Sequence, residues 1–316
     1  MQTLVRSEDD IASCLQLAML LEVSAYPKPG NIHRTRDFPE TRYEHFLASA
    51  AALGQTYRFA AHRGIMISKR LIDASQAGLG KAIETGTGSM MKWQVGGNTC
   101  LGTILLLAPI AVAAGSSIED GAFKAGKLRK NLKRILQSTT YIDSLHVYKA
   151  ISVARPAGLG SVRKLDVALS ESESQIKKEH IGLRKIFAMA AKRDSVASEW
   201  TTGYKITFEI GCPYFANCIR AGKDVNASTV DTFLNILSKV PDTLISRKVS
   251  ADKARYVSVL AAQCLDAGGV TDRRGLELID KMDKALHTPN HELNPGTTAD
   301  IVSAVLAVEL LQGMKP

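Results

Sequence analysis

The most apolar part of the chain is the stretch Leu101-Gly102-Thr103-Ile104-Leu105-Leu106-Leu107-Ala108-Pro109-Ile110-Ala111-Val112-Ala113-Ala114. It indicates a helix in the centre of the protein, and Asn98 or Thr99 could cap that helix at its start. Gly102 and Pro109 interrupt the stretch, which is also shorter than the roughly 20 apolar residues that a membrane-spanning helix needs. We therefore predict a buried core helix and no membrane partner.

Helical patterns extend on both sides of this segment. Ser7 and Asp10 form a capping-box pattern that opens a first helix, and a second helix is predicted from Thr41 to about Ile72. Residues Lys205–Ile210 alternate between polar and apolar, so a short strand and a continuing helix are both compatible. Further helices are predicted at Ile181–Trp200, Thr229–Lys239, Ala251–Leu265, Gly275–Leu286 and Thr297–Leu311. We predict an all-α fold, a compact bundle of about ten helices with little or no sheet.

The composition is that of an ordinary globular protein, with 316 residues of which 45% are hydrophobic and 22% charged. This length allows one large domain or two closely packed ones, and we predict a single all-helical domain over residues 1–316. The loop Arg155-Pro156-Ala157-Gly158-Leu159-Gly160 divides the domain into two possible sub-lobes, 1–154 and 161–316. Five cysteines without a C-x-x-C pair are typical of reduced thiols, so we expect a cytoplasmic protein.

The 40 basic and 31 acidic residues leave a formal charge of +9, which favours anionic partners. Lys124, Lys127, Lys130 and Lys133 recur at helical i,i+3 spacing and could bind phosphates, including those of nucleic acid. Such a run is more often a solvated helix face, and no aromatic residues lie between the lysines to stack bases. We therefore disfavour nucleic acid as a partner.

A rigid, charged loop follows the first helix: Glu22-Val23-Ser24-Ala25-Tyr26-Pro27-Lys28-Pro29-Gly30-Asn31-Ile32-His33-Arg34. Its prolines and glycine stop the helix and fix an extended backbone around Lys28, and Asp37 comes shortly after Arg34. Alternating cations with one carboxylate suit a polyphosphate held with or without a metal ion. The alternative is a sharp turn whose charges are solvated.

Three further polar clusters lie at predicted helix ends, where small residues and helix amides could approach an anion. They are Gly96–Gly102 with Asn98 and Thr99, Pro241–Lys248 with Arg247, and Asn294–Asp300 with Gly296 and Thr297. Each also has a purely structural interpretation. Asn98 and Thr99 could be caps, Arg247 and Lys248 could lie on a solvated turn, and Thr297 with Asp300 could form a capping box.

In these clusters the sequence resembles the triphosphoribosyl-dephospho-CoA synthase family, as a divergent, archaeal-like branch. Four segments carry the resemblance, from about residue 10 to about residue 312. They are the E-V-S-x-x-P-K-P-G-N-I pattern of Glu22–Ile32 followed by Phe46–Ser49, then Asn98-Thr99 with Gly102 against the family's N-T-H-K-G box, Arg193-Asp194 with Glu199, and Asn294-Pro295-Gly296 with Ala299-Asp300.

The resemblance implies an all-helical transferase that uses ATP and Mg²⁺. In the family reaction a ribose hydroxyl of dephospho-CoA displaces adenine from C1′ of ATP, which gives the triphosphoribosyl precursor of a lyase prosthetic group. Such a substitution needs a carboxylate that acts as base, a proton donor for the departing adenine, and cations on the triphosphate.

The resemblance identifies positions in this sequence, and from their chemistry we assign expected roles to them. Lys28, Arg34 and Arg247 or Lys248 would bind phosphates. Asp37 and Asp300 would hold magnesium or act as base, and Glu22 is a third catalytic candidate. The remaining predicted substrate-binding residues are Gly30, His33, Asn98, Thr99, Gly102, Asn294, Gly296 and Thr297.

The chain also departs from the family pattern. Cys100 and Leu101 stand where the box has histidine and lysine, and His33–Arg42 replaces an acidic, histidine-containing stretch. Two alternatives to the family reaction therefore stay open: a related enzyme of another coenzyme pathway with a different phosphoribosyl or nucleotide substrate, and a non-catalytic nucleotide- or nucleic-acid-binding protein. A homodimer is possible. If the protein is an enzyme, the candidate residues of the four clusters should converge on one pocket.

Overall fold

The fold is all-α, as predicted. The computed structural model describes residues 5–118, 123–158, 165–167 and 169–316, and among these the β-type pairing is limited to an isolated bridge between His33 and Arg36. The α-helices outnumber the ten or so expected. They are α1 (Glu8–Ser24), α2 (Tyr43–Ala52), α3 (Gly54–Ser68), α4 (Leu79–Trp93), α5 (Leu101–Gly115), α6 (Ala125–Gln137), α7 (Tyr141–Ala154), α8 (Ser170–Glu179), α9 (Leu183–Ala190), α10 (Ser195–Thr202), α11 (Cys212–Arg220), α12 (Val225–Lys239), α13 (Thr243–Lys248), α14 (Ala251–Asp266), α15 (Arg273–Leu286) and α16 (Gly296–Leu311).

Helix α5 is the central element, as its apolar sequence predicted. All of its residues except Gly102 are buried, and it packs against α1, α3, α4, α6 and α16. The crossing with α3 is close because both helices carry glycine there. A Cβ atom on Gly64 would lie 2.0 Å from the Val112 carbonyl oxygen, and one on Gly115 would lie 2.0 Å from the Ala61 carbonyl oxygen. Within the described residues, we find no helix with the length and apolarity needed to cross a bilayer.

The helix predicted from Thr41 to Ile72 is in fact two helices, α2 and α3, and this prediction was wrong. The break has a tertiary cause. The side-chain amide of Gln16, on α1, donates to the backbone oxygens of Ala50 (2.9 Å) and Ala51 (3.2 Å). These carbonyls thereby gain a partner outside their own helix, at the point where α2 ends.

The segment after α10 is helical, which decides between the strand and helix alternatives. Thr207–Gly211 forms a π-helical turn that runs into α11. The buried carboxylate of Glu199 fixes its start by accepting from the backbone N–H groups of Ile206 (2.8 Å) and Thr207 (2.9 Å). Glu199, the last residue of the central motif, therefore organises the backbone of this turn.

Helices from both halves of the chain surround the site. Helix α16 packs on α1 and α5. Asp300 near the N-terminal end of α16 binds Thr103 near the N-terminal end of α5, and Glu22 near the C-terminal end of α1 lines one cavity with these two residues. The loop Arg155–Gly158 follows α7, and Leu159 and Gly160 lie outside the described residues. The division into sub-lobes 1–154 and 161–316 stays a prediction.

Candidate active site

A cavity of about 1210 Å³ opens where these helix ends meet. This exceeds the roughly 300–1,000 Å³ typical of a site for one small molecule, so two large substrates fit. Most of the predicted site residues converge on it. Its wall includes Glu22, Lys28, Asn98, Thr99, Gly102, Arg247, Lys248, Asn294, Gly296, Thr297 and Asp300.

A buried ion pair forms part of the cavity wall. Lys28 is only 1% exposed, and its ammonium group contacts the Glu22 carboxylate and donates to the Glu22 backbone oxygen (2.8 Å). Burial raises the pKa of Glu22, and the charge of Lys28 opposes that rise. Two of the three ammonium hydrogens of Lys28 thus have partners within the protein, and the loop is fastened to the end of α1.

Asp300 is the carboxylate of the cavity that is best suited to exchange a proton with a substrate. Thr103 donates its hydroxyl to Asp300 Oδ1 (2.6 Å), and no described residue donates to Oδ2. Burial raises the pKa of Asp300 to about 7, and the nearby Glu22 carboxylate adds to this rise while Thr103 opposes it. A carboxylate with a pKa near neutrality can take a proton from a substrate and release it again.

The capping-box explanation of Thr297 and Asp300 is wrong. Pro295 is the N-cap of α16 and makes no side-chain hydrogen bond to the helix. The Thr298 backbone N–H donates instead to Asp242 (2.8 Å), whose carboxylate also caps α13 through Leu244 (2.8 Å). Asp242 therefore joins the starts of α13 and α16 and leaves Asp300 to face the cavity.

Four basic side chains, Arg155, Arg193, Arg247 and Lys248, line the cavity and form what we call the cationic cluster. Arg247 is ion-paired with Asp194 (2.7 Å). No ion pair of Arg155 or Arg193 is found within the described parts of the chain. Guanidinium groups without a protein partner are suited to binding phosphate oxygens.

The loop Arg155–Gly158, which carries one member of the cationic cluster, is close to α13. A Cβ atom on Gly158 would lie 3.5 Å from Arg247 Cβ and 3.4 Å from Lys248 Cγ. Burial lowers the pKa of Lys248, and the Asp242 carboxylate opposes this effect. The cluster is therefore assembled from three segments that are distant in sequence.

Four predicted residues do not line the cavity. Asp37 is exposed and accepts from the Tyr43 backbone N–H (2.8 Å) at the start of α2. Arg34 lies over the ring of Tyr26, and burial lowers the pKa of His33 to about 4. Gly30 has φ +74° and donates its N–H to Asp283 of α15 (2.9 Å). These contacts shape the loop, and the predicted substrate roles of the four residues stay predictions.

Asn98 and Thr99 reach the cavity but already have protein partners. The N-cap of α5 is Cys100, so the prediction of Asn98 or Thr99 as the cap was wrong. The Asn98 side-chain oxygen, two residues before the cap, still accepts from the Leu101 backbone N–H (3.0 Å). The Thr99 hydroxyl lies 2.7 Å from that of Ser49 in the F-x-x-S segment. The first and second motifs therefore contact each other directly.

Sequence reasoning did not single out several residues of the site. Thr103 binds Asp300, and Phe38 stacks on His291 with 3.8 Å between ring centroids. Arg193 was noted only as part of a motif, and Arg155 only as part of a loop. A hydroxyl residue directly after Gly102, at the start of a fully apolar run, was the available signal for Thr103.

The predicted metal ligands, Asp37 and Asp300, do not share the cavity wall. Across residues 5–118, 123–158, 165–167 and 169–316, no group of three or more His, Cys, Asp or Glu side chains could hold a metal ion. The cavity wall also includes Glu40 and Asp166. Glu22 is paired with Lys28 and Asp194 with Arg247, and Asp300 keeps one oxygen that accepts no hydrogen bond from a described residue.

Comparison with known proteins places the chain in a family. Residues 8–316 match the family model described as CitG, ATP:dephospho-CoA triphosphoribosyl transferase. The chain therefore belongs to this family of transferases, which confirms the family and the enzyme class expected from the four motifs.

Two relatives illustrate the similarity. A Citrobacter koseri protein named as a probable 2-(5''-triphosphoribosyl)-3'-dephosphocoenzyme-A synthase is 23% identical over 292 residues, which are 90% of this chain and 85% of that protein. A crystal structure from Archaeoglobus fulgidus, assigned to a triphosphoribosyl-dephospho-CoA synthase, has a TM-score of 0.60 and 21% sequence identity. That likeness covers 85% of this chain and all of the other chain, and it shows the same fold.

Gly102 provides a direct test of the position of Asp300. A Cβ atom at residue 102 would lie 2.1 Å from Asp300 Oδ2, so Gly102→Ala must displace that carboxylate. We expect turnover to fall by about 10²-fold, because a shift of the order of 1 Å in a reacting group has that effect. Steady-state kinetics checks this, with unfolding curves to show that the fold is retained.

The matched control is Gly88→Ala on α4, where an added Cβ atom meets no other atom within 4 Å. It should leave turnover unchanged and raise the free energy of unfolding by roughly 0.5–1 kcal/mol, because alanine is the better helix former. Full activity of Gly102→Ala would contradict the predicted catalytic role of Asp300.

Proposed function

We propose that the protein transfers the triphosphoribosyl group of ATP to a hydroxyl group of dephospho-CoA and releases adenine. The observation that carries this proposal is the meeting of Asp300 and the cationic cluster in a single cavity large enough for two substrates. The family of the chain and the name of its Citrobacter koseri relative support the choice of substrates.

In the proposed reaction Asp300 acts as the general base. It takes the proton of the acceptor hydroxyl as the oxygen forms a bond to C1′ of ATP. The C1′–N9 bond breaks, and its electron pair leaves with adenine, which then takes up a proton. The hydrogen bond from Thr103 holds Asp300 Oδ1, so that the uncommitted Oδ2 can face the hydroxyl group.

The cationic cluster is proposed to bind phosphates. Arg155 and Arg193 are free of ion pairs among the described residues and can each form two parallel hydrogen bonds to phosphate oxygens. Arg247 is held in place by Asp194, which also accepts from the Ala197 N–H at the start of α10 (3.1 Å). Fixed cations of this kind stabilise phosphate charge without reorganising during the reaction.

Magnesium is proposed to enter with ATP as part of the substrate. The carboxylates of the cavity do not form a cage for a resident ion, because no three of them among the described residues are grouped so that they could hold one. A magnesium ion on a nucleotide takes most of its ligands from phosphates and water, so it needs little from the protein. We assign no step of the reaction to it.

A second candidate acceptor is favoured by one observation. Cys100 and Leu101 line the cavity, and they provide neither of the charged groups found at these positions in the family pattern. Burial raises the pKa of the Cys100 thiol to about 12, so it stays neutral. A different nucleotide or phosphoribosyl acceptor is therefore the alternative. The cytoplasmic location and the homodimer stay predictions.

The test is an assay of adenine release from ATP in the presence of magnesium, with and without dephospho-CoA. Chromatography measures the adenine. We expect release that requires dephospho-CoA, together with a product whose mass is that of the acceptor plus a triphosphoribosyl group. Release that requires a different nucleotide acceptor would favour the alternative. ATP binding without release of adenine under any of these conditions would contradict both.

A further inference from the structure

One side of the cavity is strongly apolar and has no role in the chemistry proposed above. Its wall is formed by α7, α9 and α10, and we call it the apolar wing. The side chains used in this argument are Val147 and Ile151 of α7 and Ile186, Phe187, Met189 and Ala190 of α9. Met189 is 49% exposed, so its apolar surface faces open space.

The wing is a defined surface. Phe187 stacks on Trp200 with 4.5 Å between ring centroids, and the Trp200 indole N–H donates to the Leu105 backbone oxygen (3.0 Å). Ile186 of the wing packs against a small hydrophobic cluster of Tyr148, Ile176 and Ile181, which is separate from the main core. An apolar wall that adjoins basic side chains in one cavity marks a surface that an apolar ligand group can cover.

The wing directly adjoins the cationic cluster. Helix α7 ends at Ala154, immediately before Arg155, and α9 ends at Ala190, three residues before Arg193. The same helices therefore carry apolar side chains along their length and basic side chains just beyond their ends. A ligand whose phosphates lie on the cluster can extend an uncharged chain into the wing.

We infer that the apolar wing holds the pantetheine arm of the acceptor. This inference rests on the proposed function, because the acceptor is taken to be dephospho-CoA. ATP has no uncharged chain beyond its phosphates. Dephospho-CoA is an adenosine diphosphate whose terminal phosphate carries such a chain, with two methyl groups, amides and a thiol. The order of phosphate and then apolar arm matches the order of cluster and then wing.

The experiment compares two ligands that share an adenosine diphosphate. ADP lacks the arm and carries one more ionised oxygen on its terminal phosphate, which the cationic cluster would favour. Binding of dephospho-CoA and of ADP is measured by calorimetry, without ATP, for the wild-type protein and for Ala190→Trp. Ala190 is half-buried and lines the wing, so the indole should fill the space for the arm. The matched control is Ala191→Trp, at a neighbour that is also half-buried but does not line the cavity.

We expect the wild-type protein to bind dephospho-CoA roughly 10- to 100-fold more tightly than ADP, because several apolar groups of the arm are buried. Ala190→Trp should remove most of this preference and leave the affinity for ADP unchanged, and Ala191→Trp should keep the preference. Met189→Glu, at an exposed position that tolerates a charge, should weaken the binding of dephospho-CoA more than the binding of ADP.

Equal affinity of the wild-type protein for the two ligands, or absence of binding to both, would overturn the inference. So would an Ala190→Trp variant that keeps the preference. Failure of the proposed function gives a different result. If the wild-type protein prefers dephospho-CoA to ADP and Ala190→Trp loses this preference, but no adenine is released, the inference about the wing is supported and the proposed reaction is contradicted. If adenine is released but dephospho-CoA is not preferred, the reaction is supported and the inference about the wing is contradicted.

Discussion

Replacing Asp300 by asparagine is expected to reduce turnover by about 10²- to 10⁴-fold, the range over which general bases contribute. Asparagine keeps the shape of the side chain and can still accept the hydrogen bond from Thr103, but it cannot take a proton. The affinity for ATP should change only a few-fold, because the cationic cluster is untouched. Turnover kinetics and equilibrium binding of ATP measure the two effects separately.

The dependence of wild-type turnover on pH should show the titration of Asp300. Burial raises the pKa of Asp300 to about 7, so the carboxylate is protonated and inactive as a base below that pH. Turnover should therefore rise with pH and level off above about 7. Asp300→Asn should lose this dependence, whereas a purely structural role of Asp300 would leave it in place.

The raised pKa of Asp300 also determines the direction in which the free energy of unfolding changes with pH. Between the ordinary aspartate pKa of 3.8 and about 7, the folded protein binds more protons at Asp300 than the unfolded chain does. The free energy of unfolding therefore falls as pH rises through that window. Asp300→Asn removes this loss, so its thermal midpoint should exceed that of the wild type at pH 8 and approach it at low pH.

Asp37→Asn is the matched control, since Asp37 is the other carboxylate that the sequence offered as base or metal ligand. Its side chain accepts from the Tyr43 N–H and does not line the cavity. Asparagine can still accept that hydrogen bond, so activity should stay within a few-fold of the wild type. Equal losses in the two variants would contradict the assignment of the base to Asp300.

The sequence predicted those parts of the fold that depend on local pattern. The uniform apolarity of Leu101–Ala114 was enough to predict a buried helix, and the capping box of Ser7 and Asp10 is present at the start of α1. The break between α2 and α3 could not be found in this way. It depends on Gln16, which lies 34 residues from the carbonyl that it contacts.

The sequence predicted a set of residues for the site, but it did not predict how these residues are arranged in space. Asp300 and Thr103 are 197 residues apart, so no spacing rule joins them. The charged loop shows the same limit, because sequence reveals the charges of Lys28 and Asp37 but not their partners. Lys28 is turned inwards onto Glu22, while Asp37 is turned away from the cavity to the start of α2. Tertiary packing decides both directions.

The second large effect is expected for Lys28→Met, which should lower the free energy of unfolding by about 3–5 kcal/mol. Methionine is similar in length to lysine, so little volume is lost. The variant leaves the buried Glu22 carboxylate without its opposite charge. Because burial alone then raises the pKa of Glu22, the carboxyl group becomes protonated in the folded state, and the loss of stability should be larger at pH 8 than at pH 5. Denaturant unfolding at the two pH values measures it.

Two further variants separate charge from shape. Glu22→Gln combined with Lys28→Met removes both charges, and it should recover part of the stability, because an uncharged pair carries a smaller penalty in a buried site than a single charge. Lys284→Met removes an ammonium group from an exposed ion pair with Asp280 and should cost no more than about 1 kcal/mol. If Lys28→Met were as mild as Lys284→Met, the ammonium group of Lys28 would contribute little to the fold. Its predicted role in phosphate binding would then be the stronger explanation for a lysine at this position.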